Sequence, residues 1–388
     1  MSGTPARTAD AATAAEVVCL GESMVTFLPS QPGRLADVPS FGRGIGGAES
    51  NVACALAAAG HRAAWVSRVG ADGFGDHLVE AIAGYGVDTS GVRRDPSRPT
   101  GIYFRTATDR ATDVHEVAYY RAGSAASAMS PDNFPYATLP ATRVLHLSGI
   151  TAALSADCLA LLHDLTAPRP GRPLISFDVN HRPGLWRDVD ASPEVLLDLA
   201  RRSDLVFVGE DEAEEAWGVT GAAAIRAALP EPATLVVKRG AEGATVFSGT
   251  GGVPGAGGNG ASGAKGASGT RGASGAKGAS ATPDASGVSG IGDVTAVPAL
   301  RVDVVAPVGA GDAFAAGFLS ATLRDLPVRD RVRHGHLMAA AVLTVPGDLT
   351  APPTRAHADS LAALDDEAWG RLRLGPGWTG DDQEVRTT

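Results

Sequence analysis

Cysteine is scarce in this chain. Cys19, Cys54 and Cys158 are the only three, widely spaced in apolar surroundings with no CxxC pair. A disulfide framework and a thiolate metal site are therefore not expected, and the three read as reduced core thiols. A basic excess is missing too. Lys and Arg number 33 against 43 Asp and Glu, a net charge of −10. A nucleic-acid partner, which needs a basic face, is not expected. No apolar run approaches the about 20 residues that cross a bilayer, and residues 1–15 lack the basic-then-apolar order of a signal peptide. No membrane partner is expected, and the chain reads as cytoplasmic. Two nucleotide motifs are also absent. Val17–Leu20 leads into GESM rather than GxGxxG, which argues against a nicotinamide dehydrogenase, and no GxxxxGKS loop occurs.

What is present suits a large α/β protein. Of 388 residues, 44% are hydrophobic and 20% charged, enough for a sizeable core. Strand-like runs at 17–20, 65–69, 144–147, 174–178, 205–208 and 235–238 alternate with helical stretches such as 49–60 and 74–85, and 244–248 reads as a further strand. That alternation predicts a mostly parallel sheet covered by helices on both faces, with ligands at the carboxyl ends of the strands. Between residues 25 and 43, short apolar stretches punctuated by Pro29, Pro32, Gly33 and Pro39 suit a small β excursion; 101–105 and 114–121 are two strands that could pair with it. Residues 249–293 are almost entirely Gly, Ala, Ser and Thr, with glycine at every third position from Gly260 to Gly278 but no proline in the triplets. This composition predicts a flexible surface insertion rather than collagen. Residues 1–15 and 376–388 read as frayed tails around one domain spanning 16–375.

The sharpest chemical signal is VVAPVGAGDAFAAGFLS at 304–320. Gly309 and Gly311 allow a tight turn that aims successive N–H groups, with that of Ala310, at one point. The helix that follows adds its positive end, so an anion such as a phosphoryl group would be held there. Asp312, in the first turn, could take a proton from an attacking hydroxyl. A generic helix start with a stabilising acid explains the same letters. GIGGAESN at 44–51 opens another helix: Gly46, Gly47 and Asn51 could meet sugar hydroxyls, or the glycines could only pack the helix onto the sheet. KRGAEG at 238–243 follows a buried strand, and Lys238, Gly240 and Gly243 form either a seat for a nucleotide or an ordinary turn. Glu210 and Glu212 follow another strand and could meet a water on Mg²⁺, or face solvent on a helix.

GGAESN, GADGFGD at 70–76, KRGAEG and PVGAGDAFAAGF occur in the order expected of the PfkB/ribokinase family of carbohydrate kinases, and the chain resembles that family from about residue 17 to 354 apart from the insertion. The resemblance implies a ribokinase-like three-layer α/β fold with a small β lid from parts of 25–45 and 98–121, ATP and Mg²⁺ as cofactors, and Asp312 as base. A narrower likeness lies in PTGIYF at 99–104, YYRAGSAAS at 119–127, DVNHRPGLW at 178–186 and VPGD at 345–348, which resemble the 2-keto-3-deoxygluconate kinases. It implies phosphorylation of the terminal hydroxyl of a sugar acid. Arg121 and Arg182 are fork-shaped cations suited to its carboxylate, with Tyr103 and Tyr119 presenting hydroxyls beside it. The alternatives are another sugar kinase of the family, acting on fructose or ribose, and a sensor that binds a sugar acid or nucleotide without turnover. Homo-oligomerisation through the lid sheet is left open. Two positions depart from the family pattern. Ala306 stands where an acidic residue often begins the DxxGAGD motif, and Gly209 stands at the asparagine of NxxE, leaving Glu212 as the expected metal contact through water.

Overall fold

The computed structural model describes residues 14–106, 116–136, 142–186, 192–249, 292–380 and 386–387. The expected N-terminal tail and insertion lie almost wholly outside the described residues, as do 381–385 and 388 of the expected C-terminal tail.

The chain opens with β1 (Val17–Leu20), enters a small sheet through β2 (Met24–Pro29) and β3 (Phe41–Gly46), and returns through α1 (Ala48–Ala58) to β4 (Ala63–Val66). A short parallel pair, β5 (Arg68–Gly70) and β6 (Arg93–Asp95), flanks α2 (Gly73–Gly84). The small sheet is then completed by β7 (Ile102–Arg105) and β8 (Val117–Tyr120), in the order β3-β2-β7-β8. Strand and helix alternate afterwards: β9 (Val144–Ser148), α3 (Gly149–Ala152), α4 (Ala156–Thr166), β10 (Leu174–Asp178), α5 (Ser192–Arg201), β11 (Leu205–Gly209), α6 (Glu210–Trp217), α7 (Ala222–Ala228) and β12 (Thr234–Lys238). Antiparallel β13 (Ala244–Ser248) and β14 (Asp293–Val297) form one edge, and α8 (Ala310–Leu323) and α9 (Val328–Leu343) follow. The eight-stranded sheet runs β14-β13-β12-β11-β10-β9-β1-β4.

Period-two alternation builds three layers from these strands. On one face Val17, Cys19, Phe207 and Val236 join a core with α1, α8 and α9; on the other Val18, Leu20, Val206 and Val237 join one with α4, α5 and α7. Both faces being covered, the parallel strands are mostly apolar, and the buried polar residues His146 and Ser176 lie within hydrogen-bond distance of each other at 2.9 Å. The connections fix where a ligand can enter. From β1 the chain passes through α1 to β4 on one side, while β9 lies against β1 on the other. The carboxyl ends of β1 and β9 therefore mark the crevice where the direction of winding reverses.

Several expected boundaries shift. The single strand at 65–69 is two, because β4 pairs with β1 whereas β5 turns away to pair with β6. Asp293, assigned by composition to the insertion, already stands in β14 opposite Ser248. Trp378, within the segment read as a tail, is only 4% exposed, its ring 5.9 Å from that of His357, so packed chain reaches beyond residue 375.

Phe207 in β11 is buried with its ring edge-on to Phe318 at 5.5 Å and to Phe314 at 6.4 Å, tying the sheet to α8. Phe207→Ala is expected to cost about 3–5 kcal/mol, read as a lower urea midpoint, with Phe207→Leu losing much less. A loss under about 1 kcal/mol for the alanine variant would show that α8 is not seated through this ring.

Candidate active site

Three strand ends and three helix starts supply the polar groups of the crevice. Gly309 caps α8 with φ +81°, a left-handed conformation, and a Cβ there would lie 2.7 Å from the Asp348 carbonyl oxygen. Only glycine fits. Gly311 has no such clash: a Cβ would sit 3.7 Å from Lys238 Nζ. That places the lysine head beside the first turn of α8, whose N–H groups are free of intrahelical partners. Asp312 stands in that turn, and its Oδ2 accepts a hydrogen bond from Asn51 Nδ2 of α1 at 2.9 Å. Residues 261 positions apart thus meet through the packing of α1 on α8.

Asp312 is pushed up to about 7 by burial, with the charge of Asp178 adding to the effect and the Asn51 bond, Lys238 and Arg182 opposing it. At the end of β10, Asp178 is buried and receives Lys238 Nζ at 3.1 Å on each carboxylate oxygen, across the end of β11. Burial alone would favour a neutral Lys238. Asp178 first, then Glu212 and Asp312, outweigh it and hold the ammonium well above its ordinary range. The result is a knot of three carboxylates and one ammonium, with Arg182 near enough to act on Asp312.

Glu212 Oε2 accepts the N–H of Gly209 at 2.8 Å, closing the start of α6, while Oε1 lies 3.7 Å from Arg182 Nη1. Glu210 instead accepts the N–H of Gly221 at 2.8 Å, away from this group. Among the described residues no three or more His, Cys, Asp or Glu gather to hold a metal ion. A Mg²⁺ arriving on phosphates needs only a carboxylate or two and water, and Glu212 fits that requirement.

Gly46, Gly47 and Gly243 have packing reasons. A Cβ at Gly46 would lie 2.2 Å from the Tyr103 hydroxyl, at Gly47 2.4 Å from the Glu22 carbonyl, and at Gly243 2.2 Å from the Val297 carbonyl. Gly240 is exposed with φ +53° and meets nothing within 4 Å.

Tyr103, Tyr119 and Arg121 come together on the small sheet. The two tyrosine rings are 5.5 Å apart, and the Arg121 guanidinium carbon lies 5.8 Å from the centre of the Tyr119 ring. Tyr103 is buried and Tyr119 is 53% exposed. Arg182 stands on the other side, beyond the end of β10, half exposed, with Nη1 on the His181 carbonyl at 2.9 Å. Arg121 is ion-paired with Glu22, because burying a guanidinium without a counter-charge is too costly, and the half-exposed Arg182 has Glu212 nearby.

Sequence reading gave no chemical role to five charged residues here. Glu22 follows β1, and Glu49 opens α1. Glu49 is fully buried, accepts the Thr151 hydroxyl at 2.6 Å, and is pushed up to about 8 by burial, with Asp312 adding to the effect. Asp178 lay in a quoted segment without a role. Arg105 Nη2 donates to Asp348 Oδ1 at 2.6 Å, while the Tyr103 hydroxyl lies 3.4 Å from Oδ2. Asp348 thereby joins the small sheet to the backbone against which Gly309 packs. The available signal was position, since Glu22 lies two residues after a buried strand and Asp178 ends one.

The model of the pfkB family carbohydrate kinases matches residues 14–257 and 270–355. The 2-dehydro-3-deoxygluconokinase of Bacillus subtilis is 33% identical to this chain over 88% of it and 93% of the relative. A PfkB protein from Polaromonas sp. JS666 has a solved structure that is 31% identical with a TM-score of 0.70, over 89% of this chain and 100% of that one. A fructokinase from Xylella fastidiosa, solved with bound ATP, shares the fold at 22% identity and a TM-score of 0.68, over 89% of this chain and 97% of that one. With the fold, the glycine-capped helix start and a match along most of its length in agreement, this chain belongs to the pfkB family of carbohydrate kinases.

Proposed function

We propose that this kinase transfers the γ-phosphoryl group of ATP to the terminal hydroxyl of 2-keto-3-deoxygluconate, giving the 6-phosphate and ADP. The observation that carries the reading is the placement of Asp312. It stands at a helix start with open N–H groups, is held by Asn51 and has Arg182 acting on it from the strand-end side, while Arg121 acts on the neighbouring Glu49. The similarity to the Bacillus subtilis 2-dehydro-3-deoxygluconokinase supports the same substrate.

In this reading the acceptor oxygen attacks the γ-phosphorus while Asp312 takes the hydroxyl proton. The bond from the γ-phosphorus to its bridging oxygen breaks, and ADP leaves with that electron pair. The N–H groups of Gly309, Ala310 and Gly311 stabilise charge on the transferring oxygens. Lys238, kept cationic by its carboxylates, adds positive charge beside that turn, and Gly240 and Gly243 shape the bend proposed to seat the nucleotide. Gly46, Gly47 and Asn51 form the sugar side, with the glycines letting Tyr103 and Glu22 approach. Mg²⁺ bound with ATP supplies neutralisation of the phosphate charge, and Glu212 is the residue proposed to meet it through water. Tyr103, Tyr119, Arg121 and Arg182 bind the sugar acid, Arg121 through its guanidinium edge not taken by Glu22. One observation favours a neutral sugar such as fructose instead: Glu22 already neutralises Arg121. Comparing kcat/KM for the sugar acid with that for fructose and ribose separates the two readings.

Asp312→Asn should lower kcat by about a hundredfold to ten-thousandfold while leaving ATP binding by calorimetry nearly intact; near-parental kcat would remove Asp312 as the base.

The pH profile carries a second expectation. Because burial raises Asp312 to about 7, the carboxyl is protonated and cannot accept a proton at lower pH. Log kcat/KM should therefore climb with unit slope up to about pH 7 and level off above it. Asn51→Ala removes a hydrogen bond that favours the carboxylate, so this limb should move to higher pH. A limb unmoved by Asn51→Ala would assign it to another group.

Arg121→Ala and Arg182→Ala should each raise KM for the sugar acid far more than KM for ATP. The more buried Arg121 should have the larger effect, more than about thirtyfold, as expected when one member of a buried charge pair is lost. If both variants keep the parental kcat/KM for the sugar acid, or if the parent prefers a neutral sugar, only the broader carbohydrate-kinase assignment stands.

A further inference from the structure

Glu22 is an almost completely enclosed carboxylate beside the proposed acceptor site. It is 3% exposed and sits two residues after the end of β1, at the crevice where the winding reverses. Its partners come from one turn. Arg121, Ala122, Gly123 and Ser124 close on themselves through the Ser124 N–H to the Arg121 carbonyl at 3.0 Å, with Gly123 at φ +68°, the third-position glycine of a type II turn. Both ends of that turn hold Glu22: the Ser124 hydroxyl donates to Oε1 at 2.5 Å, and Arg121 Nη2 pairs with Oε2. On its other side, Oε1 would be 2.8 Å from a Cβ at Gly101, so the carboxylate fills the space that this glycine leaves open. Glu22 is clamped and has no room to swing away. Arg121, 11% exposed, keeps Nε without a hydrogen-bond partner among the described residues.

We propose that Glu22 is a specificity-determining residue: a fixed counter-charge that occupies one edge of the Arg121 guanidinium and sets how strongly this kinase prefers an anionic acceptor over a neutral one. The inference rests on the proposed contact between Arg121 and the acceptor carboxylate. An acceptor carboxylate meets a guanidinium whose charge is already balanced, and it is repelled by Glu22 behind it. Removing that charge while keeping the shape leaves a cation with a free edge, and binding of anions tightens. One unit charge about 6 Å away, at an effective interior dielectric near twenty, is worth about a hundredfold in affinity.

The test compares 2-keto-3-deoxygluconate with 3-deoxyfructose, its analogue with the carboxylate replaced by a neutral hydroxymethyl group. The ratio of kcat/KM for the acid to that for the neutral analogue is measured in the parent, Glu22→Gln, Arg121→Gln and the double variant, with folding checked by thermal melts. Glu22→Gln should raise the ratio about a hundredfold. Arg121→Gln, which strands Glu22 as an unbalanced negative charge, should lower it by at least as much, and the double variant should fall between the two. An unchanged or lowered ratio in folded Glu22→Gln overturns the proposal. Should that variant not fold, an unchanged ratio in Arg121→Gln overturns it equally. If the parent phosphorylates fructose in preference to the acid, the substrate reading has failed, and the same two compounds are then compared as competitive inhibitors of fructose phosphorylation. Tighter inhibition by the acid in Glu22→Gln still upholds the counter-charge, and no change in inhibition rejects it.

Discussion

The burial of opposite charges at the carboxyl ends of the parallel strands is the constraint on which the site depends. Asp178, Glu212 and Asp312 converge on Lys238 at the ends of β10, α6, α8 and β12, where apolar strands bring them out of water. None of these groups could be enclosed alone without neutralising itself. Together they hold Lys238 charged and leave Asp312 near the midpoint of its titration at neutral pH. A carboxylate poised there is suited to accept a proton and then release it, which is the property the proposed mechanism asks of it.

A second buried pair couples the small sheet to the helix start. Arg105 and Asp348 are both almost fully enclosed, and the backbone of Asp348 is what forces Gly309 to be glycine. The turn that opens α8 is thus shaped by a residue that also grips β7. Glu22 does comparable work on the other strand of the small sheet, reaching Arg121 and Ser124 just after β8. Movement of the small sheet relative to the body would have to break or carry both contacts. In a low-dielectric setting, neither separation is cheap.

How far the site could be read without coordinates depends on the kind of residue. Gly309 and Asp312 could be singled out because their segment occurs in order with three others of a known kinase family, and Tyr103, Tyr119 and Arg121 through segments resembling known kinases. Glu22, Glu49 and Arg105 were not. A single acid after a strand looks like any solvated turn residue, and only its burial distinguishes it. Arg121 shows the limit from the other side: its letter and its neighbours suggest a cation waiting for an anion, whereas the folded chain has already supplied one.

The amino-acid order by itself determined the three-layer architecture, the small second sheet and the glycine-capped helix start, because hydrophobic period, turn glycines and helix polarity are local properties that survive in one dimension. Tertiary structure alone decided which charges meet. Asn51 reaches Asp312 over 261 positions, Arg105 reaches Asp348 over 243, and Ser124 reaches Glu22 over 102. Charge pairing acts through space and depends on burial, and neither distance nor burial between such remote residues is written in their spacing along the chain.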